Sequence, residues 1–369
     1  MQKITPDIYR NRLSKAQDAL RKADIAALLL GPSADLTYLT GFDAHGSERL
    51  NLLIVPAEGE ISLVVPTLEA PLVGEAADLL TLHTWADHDV PAGIAADVIG
   101  DASGKTLAVG NRLWSAFLLR LQKSVPGATW VEGDPVMRDR RMLKESIEIE
   151  FLAEAARLTD LAWEAFIKSG PISGLTELQA LQRLVDISGE QGLADVHGIC
   201  GSGPNSASPH HGGGDRVIEV GDSVVFDWGG IINGYHSDVT RTVHVGEPSD
   251  EYRKVYDIVK RANRAAYEVV KPGVPLQEID RAARKVIADE GYGEAFLHRV
   301  GHGLGMEVHE EPYLVEGNAL PLAPGMVFSD EPGIYLAGRF GVRIEDTVVC
   351  TDEGGRYLND ATRDLVVME

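Results

Sequence analysis

The feature that most constrains the fold is an internal repeat in the C-terminal part of the chain. Residues 169–203 and residues 271–303 share a Gly-Pro type turn, an amphipathic helix, a glycine, a strand-like run and a glycine-rich loop. Each copy is followed by two apolar runs that carry acidic residues: Asp227 and Asp238 after the first copy, and Glu331 and Glu345 after the second. Repeated units bury their apolar faces against one another. The repeat therefore predicts two similar halves that face each other and place all four acids around a common axis.

The first pair of acids lies in the run VVFDWGGIINGYHSDVTRTV. Its pattern predicts a strand carrying Asp227, a turn through Gly229, Gly230 and Gly234, and a returning strand carrying Asp238. Two carboxylates held this close repel each other, which raises their pKa values and makes burial costly unless a cation lies between them. The run therefore favours a metal site, although an isolated pair of acids with this spacing also fits a solvated hairpin.

Three further residues turn this pair into a stronger pattern. His302 lies in HRVGHGLGMEVHE, Glu331 in VFSDEPGIY and Glu345 in GVRIEDTVV, each close to an apolar strand-like run. Four carboxylates and one imidazole have the composition of a site for two divalent ions. The oxygen-rich set suits Mn²⁺, while Co²⁺ or Zn²⁺ would also fit, and the lack of cysteine ligands argues against structural zinc. Such an ion pair lowers the pKa of bound water toward about 7 and polarises an amide carbonyl, which is the chemistry of peptide hydrolysis.

Composition limits the possible partners. The 369-residue chain is long enough for two domains, and its 34 Lys and Arg against 56 Asp and Glu give a net charge of −22. This charge argues against nucleic acid or an anionic membrane as a partner. The N-terminal run MQKITPDIYRNRLSKA has no apolar core of a signal peptide, and no apolar run approaches the roughly 18 residues of a membrane span. We expect a cytoplasmic protein whose two cysteines, Cys200 and Cys350, are buried reduced thiols.

The N-terminal part alternates between helical and strand-like patterns, which predicts an α/β domain over residues 1–134. The clearest elements are a helix and three strands, at residues 8–23, 25–30, 50–55 and 61–65. A charged stretch and a long helical pattern begin after Pro135, so a second domain is predicted over 135–369. The loop GFDAHGSERLN holds His45 and Arg49 and could either reach a neighbouring domain or remain solvated.

Six short motifs stand in one order along the chain: DWGG, SDVTRT, GHGLG, VHE, EPGIY and GVRIEDT. In this order and spacing the chain resembles the metal-dependent Xaa-Pro peptidases, the family of prolidase and aminopeptidase P. The resemblance covers essentially the whole chain. It implies an α/β (α+β) protein with a small creatinase-like N-terminal domain and a pseudo-two-fold pita-bread catalytic domain.

The resemblance also implies a role for each ligand. Asp227 would chelate one metal ion, Asp238 and Glu345 would bridge both ions, and His302 and Glu331 would bind the other. The family's nucleophile is a hydroxide that bridges the two ions. Glu331 would in addition carry a proton to the leaving nitrogen, a role that typically contributes about 10²–10⁴-fold in rate.

Other motif residues resemble the family's substrate-binding groups. His210 in SPHHGGGD and His309 in EVHEE match the non-ligand histidines that contact the substrate and the tetrahedral intermediate. His298 matches a position that contacts substrate or supports a ligand. Arg343, next to the ligand Glu345, is shared by both subfamilies and does not distinguish them.

Substrate length depends on how the site treats the carboxylate beyond the proline. Many prolidases carry an arginine soon after VHE, but this chain has Tyr313 there. We expect Arg49 to supply the replacement cation. The sequence thus predicts an Xaa-Pro dipeptidase acting on small peptides, with aminopeptidase P, another amide hydrolase of the fold or a non-catalytic scaffold as alternatives. A homodimer is expected from the family resemblance.

Overall fold

The computed structural model describes residues 3–369, and the chain divides into two units after Arg141. The helix Asp134–Met142 begins where the sequence predicts the domain boundary, yet nearly all of it belongs to the first unit. Its Arg141 donates from Nη1 to Asp35 Oδ1 at 2.9 Å, between two side chains that are both largely buried. The composition change after 134 therefore marks the start of this helix, and the division falls at its end.

The first unit is built on a six-stranded sheet. Its helices are α1 (Pro6–Lys22), α2 (Ala34–Thr40), α3 (Pro91–Ile99), α4 (Ser115–Ser124) and α5 (Asp134–Met142), with a 3-10 segment at Ala70–Leu79. Its strands are β1 (Ala27–Leu30), β2 (Leu52–Pro56), β3 (Ser62–Pro66), β4 (Thr81–Trp85), β5 (Thr106–Val109) and β6 (Thr129–Glu132). The strand order is β4-β3-β2-β1-β5-β6. The predicted strand at 25–30 and the hairpin that follows it are confirmed as β1 to β3, and β1 is buried along its whole length because it lies inside the sheet.

The second unit contains two helix pairs and three sheets. Its helices are α6 (Ser146–Ile167), α7 (Glu177–Glu190), α8 (Asp250–Glu268) and α9 (Leu276–Asp289), with 3-10 segments at Gly203–Ala207 and Gly293–Ala295. Its strands are β7 (Ala194–Ser202), β8 (Ser223–Ile232), β9 (Tyr235–His236), β10 (Val239–Val245), β11 (Gly301–Gly303), β12 (Glu310–Leu314), β13 (Val327–Asp330), β14 (Gly333–Leu336), β15 (Phe340–Arg343), β16 (Asp346–Thr351), β17 (Gly354–Tyr357) and β18 (Val366–Met368).

The predicted repeat appears as two similar halves of this unit. In each half a helix pair precedes a sheet: α6 and α7 lead to the sheet β18-β10-β8-β7, and α8 and α9 lead to the sheet β12-β11-β13-β16-β17. Two features of the sequence determine where the helices form: capping residues at their ends and apolar residues along one face. Thr176 caps α7 in a reciprocal pair of hydrogen bonds with Gln179, an arrangement that stabilises a helix by about 1 kcal/mol. Buried residues then recur at helical spacing, as along α8.

One bridge connects the two halves at the level of the acids. Thr240 in β10 forms an isolated antiparallel bridge with Glu345, whose backbone N–H donates to the Thr240 carbonyl at 3.1 Å. The neighbouring Arg241 is 1% exposed and donates to the Glu345 carbonyl at 2.6 Å and to Asp346 Oδ1 at 2.7 Å. Because these donors and acceptors are buried, losing one partner would leave the other unsatisfied at a cost of about 1–3 kcal/mol or more. The bridge therefore fixes the position of Glu345 relative to β10.

The run that carries Asp227 and Asp238 differs from its predicted form. Gly229 and Gly230 lie within β8 and do not form a turn, so that part of the prediction is wrong. The chain turns instead at Asn233 and Gly234, with φ values of 50° and 83°, as a tight hairpin with positive φ at both central residues requires. A Cβ on Gly229 would lie 1.9 Å from the Ser237 carbonyl oxygen. Glycine is required at 229 because two backbones approach closely there. In the sequence alone, such a glycine cannot be distinguished from one that forms a turn.

Both cysteines are buried and free. Among residues 3–369, no helix combines the length and apolarity that crossing a membrane requires.

The close approach at Gly229 gives a first testable prediction. In Gly229→Ala the new methyl group must displace the backbone at Ser237, and we expect a loss of at least about 2 kcal/mol in the free energy of unfolding. The matched control is Gly189→Ala, in helix α7, where a Cβ meets nothing within 4 Å. Alanine has the better helix propensity, so the control should be neutral or slightly stabilised. Chemical denaturation measures both variants, and equal stabilities would contradict the steric argument.

Candidate metal centre and catalytic site

The structure brings the five predicted ligands together from both halves of the second unit. Asp227 lies in β8 and Asp238 just before β10, while His302 lies in β11, Glu331 just after β13 and Glu345 just before β16. Within the described part of the chain, three overlapping groups of side chains offer ligand atoms that all lie within 4.8 Å of one another: Asp227, Asp238 and Glu345; His302, Glu331 and Glu345; and Asp238, His302 and His309. The shared members make these groups one continuous cluster.

His302 points its free electron pair into this cluster. Its Nδ1 lies 3.1 Å from the Gly303 carbonyl oxygen, which can only accept, so Nδ1 carries the proton and Nε2 is unprotonated. Nε2 then faces Glu331 Oε1 at 3.4 Å and Asp238 Oδ2 at 3.6 Å. Burial, with a smaller effect of His309, lowers the pKa of His302 to about 3, so the ring is neutral near pH 7. The unprotonated Nε2 therefore converges with two carboxyl groups, an arrangement that a cation stabilises.

The pKa values of the acids in the cluster also indicate that the site lacks positive charge. Burial raises the pKa values of Asp238 and Glu345 well above their ordinary ranges, and neighbouring carboxylates raise them further. Burial also raises the pKa of Glu331 to about 8, against the opposing charge of Arg343. Without a cation, part of the cluster must hold protons to remain buried. The donor set fits two divalent ions, since four carboxylates would balance their four positive charges.

Two residues beside the ligands hold the carboxylates in place. Thr240 donates from Oγ1 to Glu345 Oε2 at 2.6 Å and accepts from Arg343 Nε at 3.0 Å. Arg343, which is 2% exposed, also donates from Nη2 to Asp227 Oδ2 at 2.6 Å. These hydrogen bonds fix the orientation of one acid from each half. Sequence reasoning missed Thr240, although it stands inside the SDVTRT motif.

His298 is held on both ring nitrogens. Arg343 Nη1 donates to the Tyr335 hydroxyl at 3.0 Å, so this hydroxyl is free to donate to His298 Nε2 at 2.8 Å. His298 Nδ1 therefore carries the proton that it donates to the Arg299 carbonyl at 2.8 Å, and it lies 4.0 Å from Glu331 Oε2. This geometry supports a positioning role for His298. Tyr335, a second residue that sequence reasoning missed, lies in the EPGIY motif.

The two remaining histidines have exposed side chains that line the site. The ring of His309 lies 4.0 Å from the ring of His302, centroid to centroid. His210 lies in a loop whose position depends on Glu177, a fully buried acid that accepts from the Ser202 backbone at 2.7 Å and pairs with His211 Nε2 at 2.8 Å. Exposure leaves the rings of His210 and His309 accessible to a bound molecule.

These groups surround a cavity of about 820 Å³. Its lining contains the five predicted ligands, the three histidines above and Arg343, together with Arg299 and apolar groups such as Ile199, Val308 and Val315. Tyr313 lies in β12 opposite His302, and its ring packs beneath the guanidinium of Arg299 at 4.3 Å. The cavity is of the size that small-molecule sites usually have, about 300–1,000 Å³.

Arg49 lies in the first unit and has carboxylate partners there. Its Nε donates to Asp87 Oδ1 at 3.2 Å and its Nη1 to Glu48 Oε1 at 3.1 Å. Its side chain is 32% exposed, so these pairs are partly solvated and can be exchanged. The expected contact between Arg49 and a substrate carboxylate stays a prediction.

The chain is similar to known metallopeptidases and dipeptidases in both sequence and structure. Residues 150–352 match the model of Metallopeptidase family M24, and residues 12–143 match that of the Creatinase/Prolidase N-terminal domain. A probable dipeptidase PepE from Mycobacterium bovis is 42% identical over 98% of this chain and 97% of its own length. The crystal structure of dipeptidase PepE from Mycobacterium ulcerans superimposes with a TM-score of 0.94 at 41% identity and full coverage of both chains. A recombinant prolidase from Thermococcus sibiricus gives a TM-score of 0.93 at 39% identity, covering 98% of this chain and 99% of its own.

The shifted pKa values predict how the metal-free protein responds to pH. Glu331 has a folded pKa of about 8 against an ordinary 4.5, so its contribution to stability is present below pH 4.5 and is lost as pH rises through 8. His302 acts in the opposite sense: its contribution is present above pH 6.5 and is lost as pH falls toward 3. We therefore expect metal-free protein to lose stability between about pH 6 and about pH 8.

Divalent ions should reverse that loss and release protons. At a free ion concentration 100 times Kd, binding stabilises the protein by about 2.7 kcal/mol, or roughly 5–10 °C in the melting temperature of a unit of this size. Calorimetric titration in buffers of different ionisation enthalpy should show proton release near pH 7. Asp238→Asn should weaken the stabilisation, while the control Asp186→Asn changes an exposed acid of α7. Binding without proton release, or equal stabilisation of both variants, would contradict the account.

Proposed function

Because the chain belongs to metallopeptidase family M24, we propose that it hydrolyses the Xaa-Pro bond of dipeptides. The observation that carries the proposal is the convergence of four carboxylates and one neutral imidazole in the cavity. The similarity to a recombinant prolidase supports the choice of substrate. Aminopeptidase P activity on longer Xaa-Pro-Xaa peptides is the alternative, because Tyr313 stands where many prolidases carry an arginine.

We assign the metal ligands as the sequence predicts them. Asp227 would hold one ion, His302 and Glu331 the other, and Asp238 and Glu345 both. When bound, two divalent ions, which we propose to be Mn²⁺, would polarise the scissile carbonyl and supply a nucleophile at neutral pH. The hydrogen bonds behind the ligands support this assignment, since Thr240 holds Glu345 and Arg343 holds Asp227 in a fixed orientation.

Glu331 is the proposed proton carrier. The leaving group of an Xaa-Pro bond is a secondary amine, and the proline nitrogen carries no hydrogen while it is part of the amide. It must therefore gain a proton before it departs. A carboxylate at this position can take a proton from the attacking water and give it to this nitrogen. Its Oε2 lies 4.0 Å from Nδ1 of His298. Because this Nδ1 already carries a proton that it donates to the Arg299 carbonyl, His298 does not compete for the proton that Glu331 carries.

His210 and His309 are the proposed substrate contacts. Partial desolvation of the ring in the cavity, together with the charge of Arg299, lowers the pKa of His309, so near pH 7 its ring is neutral and offers one donor and one acceptor. Both rings line the cavity and can hydrogen-bond the substrate as charge develops on its carbonyl oxygen. Arg343 already bonds Asp227 and Tyr335, so its role is to position the site. The homodimer and the cytoplasmic location stay predictions.

Proline release from an Xaa-Pro dipeptide, compared with cleavage of the matching Xaa-Pro-Xaa tripeptide, tests the proposed function. We expect metal-stripped protein supplied with Mn²⁺ to favour the dipeptide by at least about 10-fold in kcat/KM, because a charged hydrogen bond to the free carboxylate contributes that much. Preference for the tripeptide would support aminopeptidase P. Cleavage of neither peptide under any divalent ion would overturn the proposal.

Glu331→Gln tests the proton carrier. The amide keeps the size of the side chain but cannot carry the proton, so we expect kcat to fall by about 10²–10⁴-fold. Metal content must be measured in the same sample, because Glu331 is also a proposed ligand. The control Glu294→Gln changes an exposed acid in the 3-10 segment Gly293–Ala295. A variant that retains both its metal and wild-type kcat would exclude Glu331 as the carrier.

A further inference from the structure

Arg299 places in the cavity a cation that forms no ion pair with a carboxylate of the described residues. It lines the same cavity as the five proposed ligands, and its guanidinium lies 4.3 Å from the centre of the Tyr313 ring. Within residues 3–369, the guanidinium of Arg299 contacts the Tyr313 ring, and no carboxylate lies within ion-pair distance of it. In a chain with a net charge of −22, an arginine that forms no ion pair inside a cavity rich in acids requires an explanation.

The other arginine of the lining cannot take the same role. Arg343 is 2% exposed, and its donors are used by Asp227, Thr240 and the Tyr335 hydroxyl. Binding a substrate carboxylate would require it to release the acid that it positions. Arg299 has intermediate exposure, and its guanidinium carbon lies over an aromatic face, a contact that does not occupy its N–H donors.

The backbone on both sides of Arg299 is held in place. Arg284 Nη2 donates to the carbonyl of the preceding residue, His298, at 2.8 Å. The following residue, Val300, donates its N–H to Asp280 Oδ1 at 2.9 Å and accepts from the backbone N–H of Glu331 at 2.8 Å. The last contact ties the position of Arg299 to that of the proposed proton carrier. A fixed backbone and a stacked side chain lose little conformational freedom when a ligand binds.

From these contacts we propose that Arg299, supported by Tyr313, binds the free α-carboxylate of the proline in the dipeptide. The inference rests on the proposed function and specifies which cation selects substrate length. The guanidinium fork matches a carboxylate in two parallel hydrogen bonds. Tyr313, in β12, thus supports a cation from the segment that precedes β11. This assignment competes with Arg49, whose charged group already pairs with Asp87 and Glu48.

The test compares an Xaa-Pro dipeptide with its C-terminal amide, Xaa-Pro-NH₂. Both contain the same scissile bond, and they differ in the negative charge beyond the proline. In Arg299→Met, which keeps most of the stem, we expect the ratio of kcat/KM for dipeptide over amide to fall by about 10- to 150-fold. Inhibition by proline should weaken in the same variant, while inhibition by prolinamide should change far less. Arg299→Lys keeps the charge without the planar fork and should show a smaller fall.

The matched control is Arg339→Met, which removes an arginine that lies 5.4 Å over the Phe340 ring but pairs with the exposed Glu251. Its substrate ratio should match that of the wild type, and melting temperatures show whether each variant is folded. An unchanged ratio in folded Arg299→Met or Arg299→Lys would overturn the inference, and a fall in Arg49→Met alone would assign the carboxylate to that residue instead. If the wild type cleaves neither substrate, the proposed function itself fails, so the two failures are distinguishable.

Discussion

Repulsion among buried carboxylates is the constraint on which the second unit depends. Asp238 and Glu345 are 6% and 1% exposed, and burial and then the neighbouring carboxylates raise the pKa values of both, against the opposing charge of Arg343. Arg343 supplies one positive charge and is itself buried against Asp227. Burying several carboxylates side by side is costly, and cations bound between them remove much of that cost. The repeat brings the acids together, and the metal ions that the family uses complete the site.

The framework around the cluster explains how the acids are kept from moving apart. The bridge between Thr240 and Glu345 joins the two halves where the ligands meet. Glycines allow backbones to approach next to the ligands in both halves, since a Cβ on Gly229 or Gly301 would lie 1.9 Å from a carbonyl oxygen of the adjacent segment. Rigid, close-packed backbone at these points holds the side chains in an orientation that mutual repulsion alone would not maintain.

The sequence was informative where the signal was local or repeated. The family and the fold class expected from the motifs are confirmed by the family models and by the similar solved structures. The prediction of a turn at Gly229 and Gly230 is wrong because glycine occurs both in turns and where two backbones approach closely. Only the tertiary structure distinguishes these two uses. Thr240, Tyr335 and Arg299 were missed because their roles arise from contacts between distant segments. The role of Arg49 has the same dependence and stays a prediction.

Anomalous diffraction from crystals grown with Mn²⁺ tests the central claim most directly, because it locates the ions independently of activity. The account predicts two peaks in the cluster, one contacting Asp227 and the other contacting His302 and Glu331, with Asp238 and Glu345 contacting both. A single peak, or peaks outside this set of side chains, would contradict the claim that the two halves of the fold meet to hold a pair of divalent ions.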